Sequence, residues 1–242
     1  MTFHQLPTYA GADLRYTCIP CGRRAKKEAT LSRKLTLLTI LTLALCISAS
    51  ADVLFTTLGP NGEYDPNSGW FVDGANYNNQ VTAMPFTPAA NAQMTDAVLA
   101  LGNYAGGNNP VNLYLYTDNG GQPGTQLATL TQHGVILPYD TGGGLVQFNC
   151  NGCGTVNQGT KYWLVAWEPD PNTAQAWMYA FQGHTGTWAF NLLGSVDGPW
   201  NLVPGTLSGY RVDGTSPEPG TLGLMGSGLI AAATGLRRKA GI

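Results

Sequence analysis

The stretch Val111-Asn-Leu-Tyr-Leu-Tyr116 decides the fold class, because aliphatic residues occupy every second position in it. Successive side chains of an extended strand point to opposite faces, so the aliphatic residues share one face while the asparagine and tyrosines share the other. The stretch Lys161-Tyr-Trp-Leu-Val-Ala-Trp167 is instead apolar on both faces, as in a central strand. Both patterns predict β-strands.

The composition extends this prediction to residues 52–215. Gly, Asn, Thr and aromatic residues are abundant there and Lys and Glu are scarce, which favours strands joined by turns over long helices. Turn sequences such as Asp118-Asn-Gly-Gly121 separate the apolar runs, and only 89–95 reads as a short helix. About ten short strands at this spacing predict an all-β domain, a two-sheet jelly-roll-like sandwich. Besides the two quoted stretches, strands are predicted at 53–58, 80–86, 95–101, 126–130, 145–148, 176–181, 187–192 and 209–212.

The N-terminal residues have the order of a secretory signal peptide. Seven basic residues lie among the first 34, an apolar run spans 35–47, and Ala49-Ser-Ala51 follows. This predicts a helical signal peptide over residues 1–51, passed to the secretion machinery and cut by signal peptidase before Asp52. Because the basic segment is long, residues 1–30 are a candidate start-site extension.

The C-terminal segment, residues 216–242, combines Pro217-Glu218-Pro219, an uncharged run at 221–236, and the basic cluster Arg237-Arg238-Lys239. About sixteen helical residues reach roughly 24 Å, a little less than the roughly 30 Å hydrocarbon core, and basic side chains can cover the difference by snorkelling. This predicts a transmembrane helix with its basic cluster in the cytoplasm and residues 52–215 outside. A buried amphipathic helix is the alternative, but the run has no polar stripe.

The order of these three parts resembles the PEP-CTERM sorting signal of exopolysaccharide-producing Gram-negative bacteria. The resemblance implies recognition by an exosortase, a membrane cysteine transpeptidase-like enzyme that cleaves near Pro217-Glu218-Pro219. It also implies a precursor held transiently in the inner membrane. After processing, the domain would be released or attached at the cell surface or in the extracellular matrix.

Three pieces of the domain resemble bacterial surface sandwich domains of the choice-of-anchor type, particularly those labelled R. The pieces are Thr95-Asp-Ala-Val-Leu-Ala-Leu101, Leu113-Tyr-Leu-Tyr-Thr-Asp118 leading to Gly124-Thr-Gln-Leu127, and Gly159-Thr-Lys-Tyr-Trp-Leu164. Such domains occur with different C-terminal anchors, and the resemblance carries no catalytic residues to transfer.

The charge of the domain excludes one class of partner. Residues 52–215 contain eleven acidic residues but only two basic ones, Lys161 and Arg211, giving a net charge of −9. A basic groove for nucleic acid is therefore absent from the sequence.

Catalytic motifs are also missing. His133 and His184 have no partners at metal-ligand spacing, and neither a nucleophile elbow nor a phosphate-binding loop is present. Glu168 and Asp170 alternate with prolines and are interpreted as a solvated turn, with the acid pair of a glycosidase as the alternative. The sequence predicts a protein that is not an enzyme.

Cys150-Asn-Gly-Cys153 is predicted to form a disulfide that closes a tight turn, as expected in an exported protein. Free thiols are the alternative. A thioredoxin-like redox site would place the pair at the start of a helix.

Two kinds of binding residue remain. Trp163 and Trp167 share a strand face and are predicted to be interior. Trp177, Trp188 and Trp200 lie near Gly-rich loops and are the candidates for a platform on which sugar rings stack. Calcium is a weak candidate cofactor, because hard oxygen ligands occur at Asp118-Asn119 and at Asp65-Pro-Asn67 without the spacing of a calcium loop. The sequence thus favours a surface or matrix protein that binds or organises exopolysaccharide. A secreted glycan hydrolase and a purely structural or adhesive protein are the alternatives.

Overall fold

The computed structural model describes residues 51–106 and 111–216. Most of the predicted signal peptide, including Ala49, lies outside the described residues. So do the sorting motif Pro217-Glu218-Pro219, the predicted transmembrane segment 221–236 and the basic cluster Arg237, Arg238 and Lys239.

The described residues are almost entirely β-structure, and the predicted all-β fold is confirmed. They form thirteen strands: β1 (Asp52–Thr56), β2 (Tyr64–Asp73), β3 (Val81–Phe86), β4 (Ala92–Ala105), β5 (Asn112–Asp118), β6 (Pro123–His133), β7 (Gly144–Cys150), β8 (Thr155–Val156), β9 (Tyr162–Trp167), β10 (Ala174–Ala180), β11 (Thr185–Asn191), β12 (Asn201–Thr206) and β13 (Tyr210–Thr215). The helical elements are short 3-10 turns at Pro60–Gly62, Tyr139–Thr141 and Phe181–Gly183. Within the described ranges, no helix has the length and apolar character needed to cross a membrane.

The strands form one curled antiparallel sheet. Its main path runs β1-β13-β4-β7-β6-β5-β9-β3-β11-β12. The long strand β4 also pairs with β10 and β8, and β10 continues to β2. The sequence predicts two separate sheets, whereas in the structure hydrogen-bonded strand pairs connect all of the strands into one sheet.

The short helix predicted at residues 89–95 is wrong. Strand β4 begins at Ala92, and its first residues pair with both β8 and β13, through Gln93 opposite Thr155 and opposite Thr215. These backbone partners on two sides outweigh the weak local helix preference of a short segment.

Alternate side chains of β5 and β9 point to the two opposite faces of the sheet. The largest core cluster contains side chains from most strands. From β5 it includes Leu113 and Leu115, and from β9 it includes Leu164 and Ala166. This concave side of the curled sheet is the main hydrophobic core.

The opposite face of the same strands is covered as well. Tyr116, Trp163 and Val165 form a second buried cluster, against which Val196 and Trp200 pack. The connection between β11 and β12, residues 192–200, therefore folds over the outside of the sheet. This packing brings the connection close to the end of β5.

Candidate functional site

A cleft of about 510 Å³ lies between the turn that joins β5 to β6 and the connection 192–200. Its lining is mainly polar and includes a single indole ring. The lining residues with a polar or aromatic side chain are Thr117, Asp118, Asn119, Gln122, Thr125, Asp197 and Trp200. Trp200, which was predicted to stack on sugars, thus lies in the same cleft as Asp118 and Asn119, which were predicted as calcium ligands.

Asp118 is held in place by two N–H donors. The Trp163 indole Nε1 donates to Oδ1 over 2.8 Å, and the backbone N–H of Gly121 donates to Oδ2 over 3.0 Å. Gly121 has a φ of 91°, a left-handed conformation that favours glycine, so the Asn-Gly-Gly sequence is what lets the turn close on the carboxylate. Both oxygens of Asp118 therefore serve the local structure.

Asp197 lies beside the buried phenol of Tyr116. The one proton of this hydroxyl has two acceptors within reach, Gln126 Oε1 at 3.3 Å and the Asp197 carboxylate. Burial, and secondarily the charge of Asp197, raises the pKa of Tyr116 to about 12. The phenol consequently stays a neutral hydrogen-bond donor at physiological pH.

Tyr116 and Trp163 are direct cross-strand partners in β5 and β9, and both side chains are fully buried. The indole Nε1 of Trp163 donates to Asp118, and the hydroxyl of Tyr116 lies beside Asp197. A single cross-strand pair thus holds Asp118 through Trp163 and lies beside Asp197 through Tyr116. Sequence reasoning missed Asp197 and the role of this pair, because no sequence spacing connects residue 197 to residues 116 and 163.

Trp200 is the only member of the predicted stacking platform that reaches this surface in the described part of the chain. Its side chain is half-buried, with one side against the cluster of Trp163 and Val165. A Cβ at Gly198 would lie 2.9 Å from Trp200 Cδ1, so the absence of a side chain there lets the connection fold tightly against the indole edge. The remaining exposed part of the ring forms a wall of the cleft.

The predicted platform is wrong for Trp177 and Trp188. Both are buried, with exposed fractions of 0% and 2%. Trp177 lies on β10, which has strand partners on both sides, and donates from Nε1 to the Gly209 carbonyl over 3.1 Å. Trp188 stacks on Trp70 with ring centroids 4.0 Å apart. Nearby Gly-rich loops did not expose these rings, because burying a large apolar surface in the core is favourable.

The calcium candidates have few ligands. Asp118 and Asn119 share the cleft with Asp197, but the described residues contain no group of three or more acidic, His or Cys side chains suited to a metal ion. At the other candidate, Asp65 Oδ1 accepts the backbone N–H of Asn67 over 2.9 Å, which is the arrangement of an Asx turn.

Glu168 was interpreted as part of a solvated turn, and this is wrong. The residue is 2% exposed and follows β9 into the core, where it lies next to Gln175. Its Oε1 accepts the backbone N–H of Asp170 over 2.9 Å, while no described group bonds to its Oε2. Burial is the main cause that raises the pKa of Glu168 to about 7.

Two other acids, Asp96 and Asp213, face each other across β4 and β13. Arg211 Nε lies 2.8 Å from Asp213 Oδ2. Burial raises the pKa of Asp213, Arg211 opposes the shift, and Asp96 adds to it. This pair lies apart from the cleft and was not singled out from the sequence.

The structure joins Cys150 and Cys153 by a disulfide, with Cα atoms 5.7 Å apart. The bridge lies at the end of β7, outside the lining of the cleft.

The PEP-CTERM protein-sorting motif matches residues 217–239. No curated protein matches the chain. The motif is a recognition signal for exosortase, and it implies export and a membrane-anchored precursor that is processed for the cell surface. The chain therefore carries the sorting signal of an exosortase-targeted, exported surface protein.

Proposed function

We propose that residues 52–215 form a non-catalytic domain that binds exopolysaccharide through the cleft between the β5–β6 turn and the connection 192–200. The observation that carries the proposal is the meeting of one half-exposed indole, Trp200, with the polar side chains of Asp118, Asn119 and Asp197. Sugar rings present apolar faces that stack on aromatic rings and hydroxyl groups that hydrogen-bond to carboxylates and amides.

The proposal also covers the processing and the location of this domain. Signal peptidase would release the N-terminus at Asp52, and the processed domain would act at the surface or in the matrix of a Gram-negative bacterium. The resemblance to choice-of-anchor R domains supports a non-catalytic surface role. Calcium is not needed for the proposed contacts.

The test is a binding measurement with the processed protein and the polysaccharide of the producing cells. We expect Trp200→Ala to weaken binding by about tenfold, since the lost stacking surface corresponds to roughly 1.4 kcal/mol. Tyr104→Ala is the matched control, because Tyr104 is an exposed aromatic residue that does not line the cleft. If the unaltered protein binds no polysaccharide, the proposal fails and a structural or adhesive role remains.

A glycan hydrolase is the second candidate, because Asp118 and Asp197 line the same cleft as Trp200. Glycoside hydrolysis needs one carboxyl group that carries a proton and a second that acts as base or nucleophile. Asp118 fits the first role poorly, since its two oxygens already accept the N–H groups of Gly121 and Trp163. Release of reducing ends that disappears in Asp197→Asn would establish the enzyme and contradict the binding proposal.

A further inference from the structure

We infer that the ligand of this cleft is a glycan with free amino groups, that is, a polysaccharide containing amino sugars that are not N-acetylated. This inference rests on the proposed function and specifies its ligand class.

The first argument is the charge of the lining. Both charged residues in the cleft, Asp118 and Asp197, are acids. Of the two basic residues in the domain, Arg211 pairs with Asp213 on another part of the sheet. Lys161 is exposed and precedes Tyr162, the partner of Thr117, so it lies near the end of β5. Among the described residues it forms no ion pair, and it does not line the cleft.

The second argument is the placement of the two negative charges. Trp163 and Gly121 bind the two oxygens of Asp118, and the buried Tyr116 hydroxyl lies against Asp197. Ionised carboxylates offer about four acceptor positions each, so both still have lone pairs for a ligand. Both carboxylates attract a ligand that brings positive charge into the cleft.

The third argument is the nature of the cation. A protonated amine is a compact charge with three N–H donors, which matches acceptors that come from two sides. Calcium instead takes six to eight oxygen ligands, whereas this cleft offers two carboxylates and, like the rest of the described residues, no group of three acidic, His or Cys side chains that could hold a metal ion. A uronic acid would add like charge and is disfavoured.

Trp200 fits the same ligand. A partly exposed indole accepts the apolar face of a sugar ring, and a ring-bound ammonium group is also attracted to the indole face. The neutral donors and acceptors of Asn119 and Gln122 then remain for hydroxyl groups.

The experiment compares three soluble glycans on the processed protein at about pH 6, where amines are protonated and exposed carboxylates are ionised. The probes are a glucosamine oligomer, the N-acetylglucosamine oligomer of equal length and polygalacturonate. We expect the glucosamine oligomer to bind about tenfold more tightly than the acetylated one. This preference should vanish as the salt concentration rises from about 0.01 M to about 1 M.

Two variants test the cleft itself. Asp197→Asn should weaken binding of the glucosamine oligomer by about three- to fivefold at low salt, and should weaken binding of the acetylated oligomer less, because the acetylated oligomer has no ionic contact to lose. Asp140→Asn, which removes an exposed acid outside the cleft, is the matched control and should change neither affinity.

Equal binding of the two glucosamine-type oligomers, or preference for polygalacturonate, would overturn the inference and leave the proposed function standing. Binding of any probe that is abolished by a chelator would also overturn it, in favour of a bridging cation. If neither these probes nor the producer's own polysaccharide binds, the proposed function fails as well.

Discussion

Trp163 connects the core to the cleft. Its ring is fully buried on the outer face of β9, and its one polar atom donates to Asp118 Oδ1 over 2.8 Å. A hydrogen bond to a charged acceptor is worth about 1.5–3 kcal/mol, so this residue both packs the sheet and fixes a carboxylate that lines the cleft.

The change Trp163→Phe tests this double role. It keeps most of the apolar ring and removes the indole N–H, so Asp118 loses one of its two donors. We expect glycan affinity to fall by about three- to tenfold, because the carboxylate is no longer fixed before binding. The measurements are the dissociation constant for the polysaccharide and the Tm of the same sample.

Trp177→Phe is the matched control. It removes a buried indole hydrogen bond to the Gly209 carbonyl and lies outside the cleft. A loss of stability in both variants with a loss of affinity in Trp163→Phe alone supports the positioning role. Equal affinities in the two variants would contradict it.

At the scale of elements, β13 explains how processing at the tail can leave the domain intact. This strand, Tyr210–Thr215, is paired on one side with β1 and on the other with β4. Asp52, the first residue after the predicted signal cleavage site, pairs with Gly214. The sorting motif begins at Pro217, two positions after β13 ends.

This pairing predicts the ends of the mature protein. A protease needs an extended backbone free of strand partners, and both edges of β13 are occupied. We therefore expect the mature chain to begin at Asp52 and to end at Ser216 or later, as measured by its intact mass. A folded product that ends before Thr215 would contradict the prediction, and so would an N-terminus inside β1.

Some strands could be predicted from sequence patterns and others could not. The strands β5 and β9 were predicted almost to the residue, because both have a clear pattern and both lie inside the sheet. Strands β2 and β12 were missed, and so was the two-residue strand β8. The sequence of β2 includes Pro66, Asn67 and Gly69, and that of β12 includes Pro204, residues that are typical of turns. Proline is tolerated in β12, which ends the main path of the sheet.

At the scale of the whole molecule, buried acids make stability depend on pH. Burial raises the pKa of Glu168 to about 7, from 4.5, and also raises the pKa of Asp73 and Asp213. Because the folded state holds these protons more tightly than the unfolded state, the stability they contribute is complete at acidic pH. It is lost as the pH rises through the folded-state pKa of each group.

The variant Glu168→Gln tests the largest of these contributions. Between about pH 4.5 and 7, the free energy of unfolding of the unaltered protein should fall more steeply than that of the variant, by about 1.4 kcal/mol per pH unit. Denaturant unfolding at several pH values measures both slopes. Asp140→Asn, which changes an exposed acid that does not act on Glu168, is the control and should keep the original slope. Parallel slopes for Glu168→Gln and the unaltered protein would refute the assignment.

The candidate site was only partly predictable at this scale. Asp118, Asn119 and Trp200 were chosen from the sequence as ligands or stacking residues, and the structure brings them to one cleft. Asp197 was not chosen, and Trp177 and Trp188 were chosen but are buried. Asp197 lies about eighty residues from Asp118 along the chain, and no sequence pattern indicates that the two residues line one cleft.

The sequence by itself determined the all-β class and the sorting signal, since both depend on order along the chain. Alternating polarity selects a strand face, and the order of motif, apolar run and basic cluster identifies the tail. Only the tertiary structure decided which tryptophans are exposed and which acids share a cleft. Exposure depends on what packs against a side chain, and here that is the connection 192–200, which folds over the outer face of β5 and β9 and leaves Trp200 at its edge.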